Sequence, residues 1–246
     1  MNNLYASLSE VYEGMYQTFV NYKEEFAFYF SILKKYQCQS VLEAGCGTGN
    51  LAQLFIANNV EYAGMDLSDD MLTIARKNNP NVDFVKGDMR NFNLTKPVSS
   101  CIITGRSISY LVTDQDVHDT FQSIYKNLAE PGILCFDFID ATVFLPSIKN
   151  GKIVTHQAIV GGRGLKRESF WKINQTQHGV FDWQSIFYEE KNDGRFRKIG
   201  EDQSTIRTFE KNEMKAFLET AGFKLEEIIP RASYAFDTLV VVAKKG

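Results

Sequence analysis

Residues 40–50, SVLEAGCGTGN, constrain this chain more than any other stretch. A short apolar run ends on the acid Glu43, turns through Gly45, Gly47 and Gly49, and continues into Leu51, Leu54 and Phe55 at helical spacing. A strand that passes through glycines into a helix brings backbone close to a ligand at the helix N-terminus. The dinucleotide fingerprint requires a third Gly or Ala where Asn50 stands. Glu43, at the mouth of the loop, would also repel a pyrophosphate. The turn therefore suits a ligand that is cationic at this end.

A second strand reinforces this reading. Tyr62-Ala63-Gly64-Met65 runs into Asp66 about 20 residues beyond the glycines, the offset at which a carboxylate takes ribose hydroxyls in nucleotide folds. Ser68 is placed to cap a helix with Asp69 and Asp70 in its first turn and Arg76 and Lys77 in its last, both favourable to the helix dipole. The combined pattern E-x-G-x-G-x-G (Glu43 to Gly49) and D-L-S-x-x-M-L (Asp66 to Leu72) resembles the class I S-adenosylmethionine-dependent methyltransferases. The resemblance runs from Val41 to about Ile139 and returns in the C-terminal segment. It implies an α/β fold, a doubly wound seven-stranded Rossmann-like sheet with its last strand antiparallel, and S-adenosyl-L-methionine as cofactor. The sulfonium and ammonium of that cofactor supply the cationic end that Glu43 calls for.

The resemblance also distributes roles. Glu43, Ala44, Gly45, Cys46, Gly47, Asp66, Leu67 and Met71 match the family's cofactor-binding positions, and Asp88 and Met89 match the pair that frames the adenine. Gly105 and Arg106, after the fourth strand, fall where family enzymes place residues beneath the transferred methyl. Arg106 is equally suited to pair with Glu43 or another structural acid. Ser109 and Tyr110 fall on the acceptor side. Related small-molecule enzymes close an N-terminal V-Y-D…Y segment over the cofactor, and Val11-Tyr12-Glu13 with Tyr22 is similar to it, with Tyr16 nearby.

Bulk properties bound the remaining choices. A chain of 246 residues suits one large domain, or one domain with an insertion. Net charge is −3 without a Lys/Arg run, so no nucleic-acid partner is expected. No apolar stretch reaches membrane-spanning length and no signal-peptide pattern opens the chain, so a cytoplasmic location is expected, as monomer or homodimer. Cys38, Cys46, Cys101 and Cys135 are widely spaced, which favours thiols over disulfides or a metal site.

Along the chain, Val11, Tyr12, Met15, Tyr16 and Phe19 form one helical stripe and Phe26, Tyr29, Phe30 and Leu33 a second, both expected to pack on the sheet. A helix is expected over 114–130, then a fifth strand over 133–139. Beyond residue 140 helical periodicity gives way to β-prone runs at 154–160, 168–173, 180–189 and 196–206, with Lys191 to Gly194 as a hairpin turn. Three units follow: N-terminal helices and cofactor core (1–140), an antiparallel β cap over the acceptor (141–205), and the end of the core (206–246). Phe181, Trp183, Ser185 and Phe187 share one cap strand face. Met214, Phe217, Leu218 and Ala221 then define a last helix, closed by Gly222.

Methyl transfer from a sulfonium asks for orientation and exclusion of water more than for a covalent intermediate, so no nucleophile–base pair is required. Tyr110, Asp140, His156 and His178 are the candidate bases, and the sequence does not choose among them. No N-P-P-Y motif follows the fourth strand, which argues against adenine or protein-amide methylation. The layout is most similar to N-methyltransferases of amino sugars, acting at N or O of a small molecule. Modification of a protein or tRNA, and cofactor binding without turnover, are the alternatives.

Overall fold

The computed structural model describes residues 8–148, 153–233 and 236–246. Strands β1 (Ser40–Ala44), β2 (Glu61–Asp66), β3 (Asp83–Lys86), β4 (Val98–Ile103), β5 (Leu128–Phe138), β10 (Phe223–Arg231) and β11 (Thr238–Lys245) form one sheet in the order β10-β11-β5-β4-β1-β2-β3. The pairs from β3 to β5 are parallel, and β11 runs antiparallel between β5 and β10. Strand side chains alternate between faces. Leu42, Leu134, Phe136 and Val241 join one core with α5 (Asp114–Asn127) and α7 (Lys211–Thr220). Val41, Ile133, Cys135 and Val240 join the other with α2 (Tyr22–Lys35), α3 (Ala52–Ala57) and α4 (Asp69–Asn78). Order reverses between β1 and β4, and the crevice beyond the carboxyl ends of the strands at such a switch point is where ligands bind.

The expected sheet is thus present, with two local differences. Helix α5 stops at Asn127 rather than 130, where the Asn127 amide bonds Phe92 O and Ser123 O and accepts from Leu94 N. The chain is also helical again at α6 (Ala141–Ser147), a single short element containing Pro146 and too brief to show a stripe.

The insertion is a second, wholly antiparallel sheet, β6 (Val154–Val160), β7 (Arg163–Ile173), β8 (Val180–Glu190) and β9 (Phe196–Arg207), in that order. Gly161 and Gly162, both left-handed (φ 56° and 79°), make the β6–β7 turn, the backbone a tight two-residue hairpin demands. The insertion leaves and rejoins the core at one point: Phe209 N donates to Ile139 O (2.9 Å) and Ala141 N to Phe209 O (3.0 Å).

One expected packing is corrected. Helix α1 (Ser9–Phe19) lies against the cap and not against the large sheet: Leu8 and Met15 cluster with Leu165 and Phe187, and Val11, Tyr12 and Phe19 flank them. A Cβ at Gly14 would come within 2.4 Å of Val160, so the absent side chain allows this close approach. The apolar stripe was real, but β6 and β7 supply its partner surface.

Candidate active site

Between the strand ends and the cap lies a cavity of about 410 Å³. Its floor is the glycine turn. Gly45, Gly47 and Gly49 all have positive φ (80°, 54° and 74°), which glycine adopts without strain. Asp66 ties the turn down, accepting from Gly47 N and Ser68 N, each at 2.8 Å. Burial raises the Asp66 pKa despite these bonds. Ser68 caps α4 by accepting from Met71 N, which sets Met71 under the cavity.

Glu43 is only 2% exposed. Its carboxylate accepts from Tyr62 Oη (2.6 Å) and Thr104 Oγ1 (2.8 Å), yet burial outweighs both bonds and pushes its pKa up to about 7. A buried acid bordering a cavity is stabilised as an anion by a cation arriving there. At the far side, Asp88 is gripped by Arg90 through both carboxylate oxygens, and this holds its pKa down.

The wall after β4 begins with Gly105 and Arg106, both left-handed (φ 63° and 64°). A non-glycine residue there is uncommon and strained, and such strain gathers at functional sites. Arg106 N donates to Asp137 Oδ1 (2.8 Å), its guanidinium reaches Ser233 (3.2 Å), and its charge lies over the Phe236 ring. It thus faces Asp137 and not Glu43. Asp137, at the end of β5, is pushed up to about 6 by burial, with Arg106 opposing. Beside it Arg231 makes a two-pronged pair with Glu25, both contacts 2.9 Å.

The roof is the inward face of the cap. Trp183 Nε1 donates to Ser185 Oγ (3.0 Å), Ser185 bonds Ser169 (2.9 Å), and Ser204 bonds Asp202 (3.1 Å). Trp183, Ser185, Asp202, Ser204 and Arg167 all line the cavity. From α1, Glu13 takes a bond from Thr48 (2.5 Å) and one from Asn50 (3.2 Å), while Gln17 donates to Asn50 (2.6 Å). Asn50, in place of the third glycine, is thus the anchor for α1.

Of the residues singled out from sequence, Tyr12, Tyr16, Tyr22, Glu43, Gly45, Cys46, Gly47, Asp66, Leu67, Met71, Asp88, Met89, Gly105, Arg106, Ser109 and Tyr110 border this one cavity. Ala44 does not; it is fully buried in the core beneath. Three candidate bases also fall outside. Asp140 caps α6 through Thr142 N (2.9 Å), His156 sits beside Arg167 on the same cap face, against Phe19 of α1, and His178 stands exposed in the β7–β8 turn. Phe187 packs between cap and α1 and does not reach the cavity. Sequence reading missed Glu25, Asp137, Arg167, Asp202 and Arg231. Asp137 had a signal, a lone acid within the apolar run 133–139, and so had Arg167, a charge in alternation with Leu165 and Ser169.

A glycine turn with acids near the ends of β1 and β2, in a seven-stranded sheet whose final strand inserts antiparallel beside β5, is the arrangement expected from the resemblance to class I methyltransferases. Residues 41–132 match the family described as a methyltransferase domain. The chain is 26% identical over 190 residues to the dTDP-3-amino-3,4,6-trideoxy-alpha-D-glucopyranose N,N-dimethyltransferase of Streptomyces venezuelae, 77% of each chain. It is 27% identical over 193 residues to the dTDP-4-amino-2,3,4,6-tetradeoxy-D-glucose N,N-dimethyltransferase of Saccharopolyspora spinosa, 77% of this chain and 73% of that one. Its fold matches SAM-bound CalS10, an amino pentose methyltransferase from Micromonospora echinaspora, with a TM-score of 0.79 at 21% identity, over 96% and 97% of the two chains. The matched domain and these relatives support an S-adenosylmethionine-dependent methyltransferase.

Proposed function

We propose that this enzyme methylates a nitrogen atom of a small, polar acceptor of the amino-sugar class. The observation that carries the reading is the cap's inward face, where a Trp, two serines and a buried Asp border the same cavity as the glycine turn. A hydroxyl-rich wall with one indole suits a polyhydroxylated ring, whose buried polar groups need partners. The relatives named above, two acting on dTDP-linked amino sugars, support it. In the described residues no helix is long and apolar enough to cross a membrane, and the four cysteines are free thiols, which agrees with a cytoplasmic enzyme.

The cavity fits S-adenosylmethionine: it pairs a buried acid with turn glycines lacking side chains, and Asp66 keeps lone pairs beyond its two backbone bonds. When bound, the cofactor supplies an electrophilic methyl group on a sulfonium. Glu43, ionised, balances the positive charge; Asp66 takes the ribose hydroxyls; Asp88 and Met89 frame the adenine; Tyr12 and Tyr22 close the cavity from above. Arg106 and Gly105 shape the wall beneath the methyl group. Asp137, buried and raised in pKa, takes the proton that an acceptor ammonium must lose, a role for which Tyr110 is the other cavity-lining candidate. Alignment of amine and methyl with water excluded supplies most of the acceleration.

The test is incubation with S-adenosylmethionine and a panel of free amino sugars, dTDP-linked amino sugars and matching alcohols, following S-adenosylhomocysteine and the mass of the product. Transfer to an amine is expected. Transfer confined to alcohols, or none to any of them by a protein that binds the cofactor, would overturn the proposal.

A further inference from the structure

We infer that Arg167 is an anion site in the acceptor pocket and holds an oxyanion carried by the acceptor, a phosphate ester or a carboxylate. The inference rests on the cap being the acceptor's wall. Arg167 borders the cavity and is only 2% exposed. A guanidinium cannot shed its proton, so its charge stays buried. Its partners are all neutral or aromatic: Nη1 donates to Tyr16 Oη (3.1 Å), Nη2 meets His156 Nδ1 (3.3 Å), and its face lies over the Tyr16 and Phe19 rings. His156, an imidazole, has no negative charge to offer, and burial followed by Arg167 itself holds its pKa below the ordinary value. Nε has no partner, and among the described residues no carboxylate forms an ion pair with Arg167.

The other buried arginines are matched, Arg207 by Asp114 and Glu213 and Arg106 by facing Asp137, and the partly buried Arg231 is paired with Glu25. An uncompensated buried charge is unfavourable, and an anion arriving beside it relieves that cost. Two anions can enter this cavity, the cofactor's carboxylate and one on the acceptor. Arg167 lies on β7, its inward neighbour Ser169 opposite Ser185, which lies in turn opposite Asp202. That polar row belongs to the cap, which favours the acceptor.

The probe is anion binding by the full chain saturated with S-adenosylhomocysteine. Thermal unfolding is followed while inorganic pyrophosphate, or separately succinate, is added at constant ionic strength. Wild type should show a saturable rise in Tm with one of them; the stronger responder identifies the oxyanion. Arg167→Met should weaken that binding by about tenfold or more while S-adenosylmethionine affinity stays within about threefold. Arg167→Lys, which keeps the charge and is the safer variant to fold, should retain part of it. The inference is overturned if wild type shows no saturable response to either anion, or if Arg167→Met responds as wild type does. It is overturned equally if Arg167→Met loses cofactor affinity by more than about tenfold, because Arg167 would then hold the cofactor's carboxylate. None of these readings depends on methyl transfer, so failure here leaves the N-methylation proposal standing, and the reverse holds too.

Discussion

Glu43→Gln separates the acid at the glycine turn from every other titrating group. Glu43 ordinarily titrates at 4.5, and burial moves it to about 7 in the folded chain. Between those pH values the folded chain binds a proton that the unfolded chain has released. Stability from this group is therefore full below pH 4.5 and declines as pH rises through 7. The interval corresponds to roughly 3 kcal/mol, an upper figure for a single carboxyl. Glutamine keeps the shape and can still accept from Tyr62 or Thr104, but cannot ionise. Its stability relative to wild type should thus grow by up to about 3 kcal/mol between pH 4.5 and 8, a Tm difference on the order of 6–12 °C for a chain of this size. Asp66 and Asp137, also raised by burial, titrate in both proteins and largely cancel in the difference. Cofactor binding should move the other way. A cation favours the ionised acid, so wild-type affinity for S-adenosylmethionine should tighten from pH 6 to 8 and binding near pH 7 should release a proton, visible by calorimetry in buffers of different ionisation enthalpy. Glu43→Gln should bind more weakly at pH 8 and show neither effect. Parallel stability–pH curves for the two proteins, or equal proton release, would refute the reasoning.

Further outcomes are expected. Asp66→Ala should lose about 1.5–3 kcal/mol of cofactor affinity by calorimetry, the range for bonds to charged groups. It should also lower Tm measurably, because Gly47 N and Ser68 N lose their acceptor. Trp183→Ala should raise the acceptor's KM or cut kcat in steady-state assays while cofactor affinity stays within about threefold. Phe187→Ala should instead cost about 3–5 kcal/mol of stability in denaturant melts, as for large core deletions, with KM near wild type in whatever stays folded. Gly14→Val should drive α1 off Val160, read as faster proteolysis within residues 9–19.

The large sheet was legible in sequence because each of its signals is local. Glycines, a strand-end acid and a capping serine sit within a few residues of one another, from Glu43 to Gly49 and from Asp66 to Met71, and their chemistry does not depend on distant partners. The cap strands were legible for the same reason, through turn residues and alternation. What was not legible depends on which surfaces meet. The stripe of Met15 and Phe19 marks a buried helix face but says nothing of whether β6 or the large sheet buries it. Asp140 reads as a free acid until α6 forms and takes it as a cap. Glu25 and Arg231 lie at opposite ends of the chain, and only the closed sheet joins them. Phe187 and Trp183 share a strand face, yet they lie apart along β8, so one meets α1 and the other the cavity.

The paired hydrogen bonds at Ile139, Ala141 and Phe209 bring the two ends of the insertion together before the cap begins. A segment whose ends are held adjacent costs the core a closure entropy that grows only slowly with its length. Residues 141–208 are for that reason a graft point: another roof can be joined at the same clamp without disturbing β5 or the glycine turn. Helix α1 sets the condition on any such exchange. It is fitted to Val160 on one side and hydrogen-bonded to Thr48 and Asn50 on the other, so a transplanted roof must carry its own first helix or lose its latch to the glycine turn.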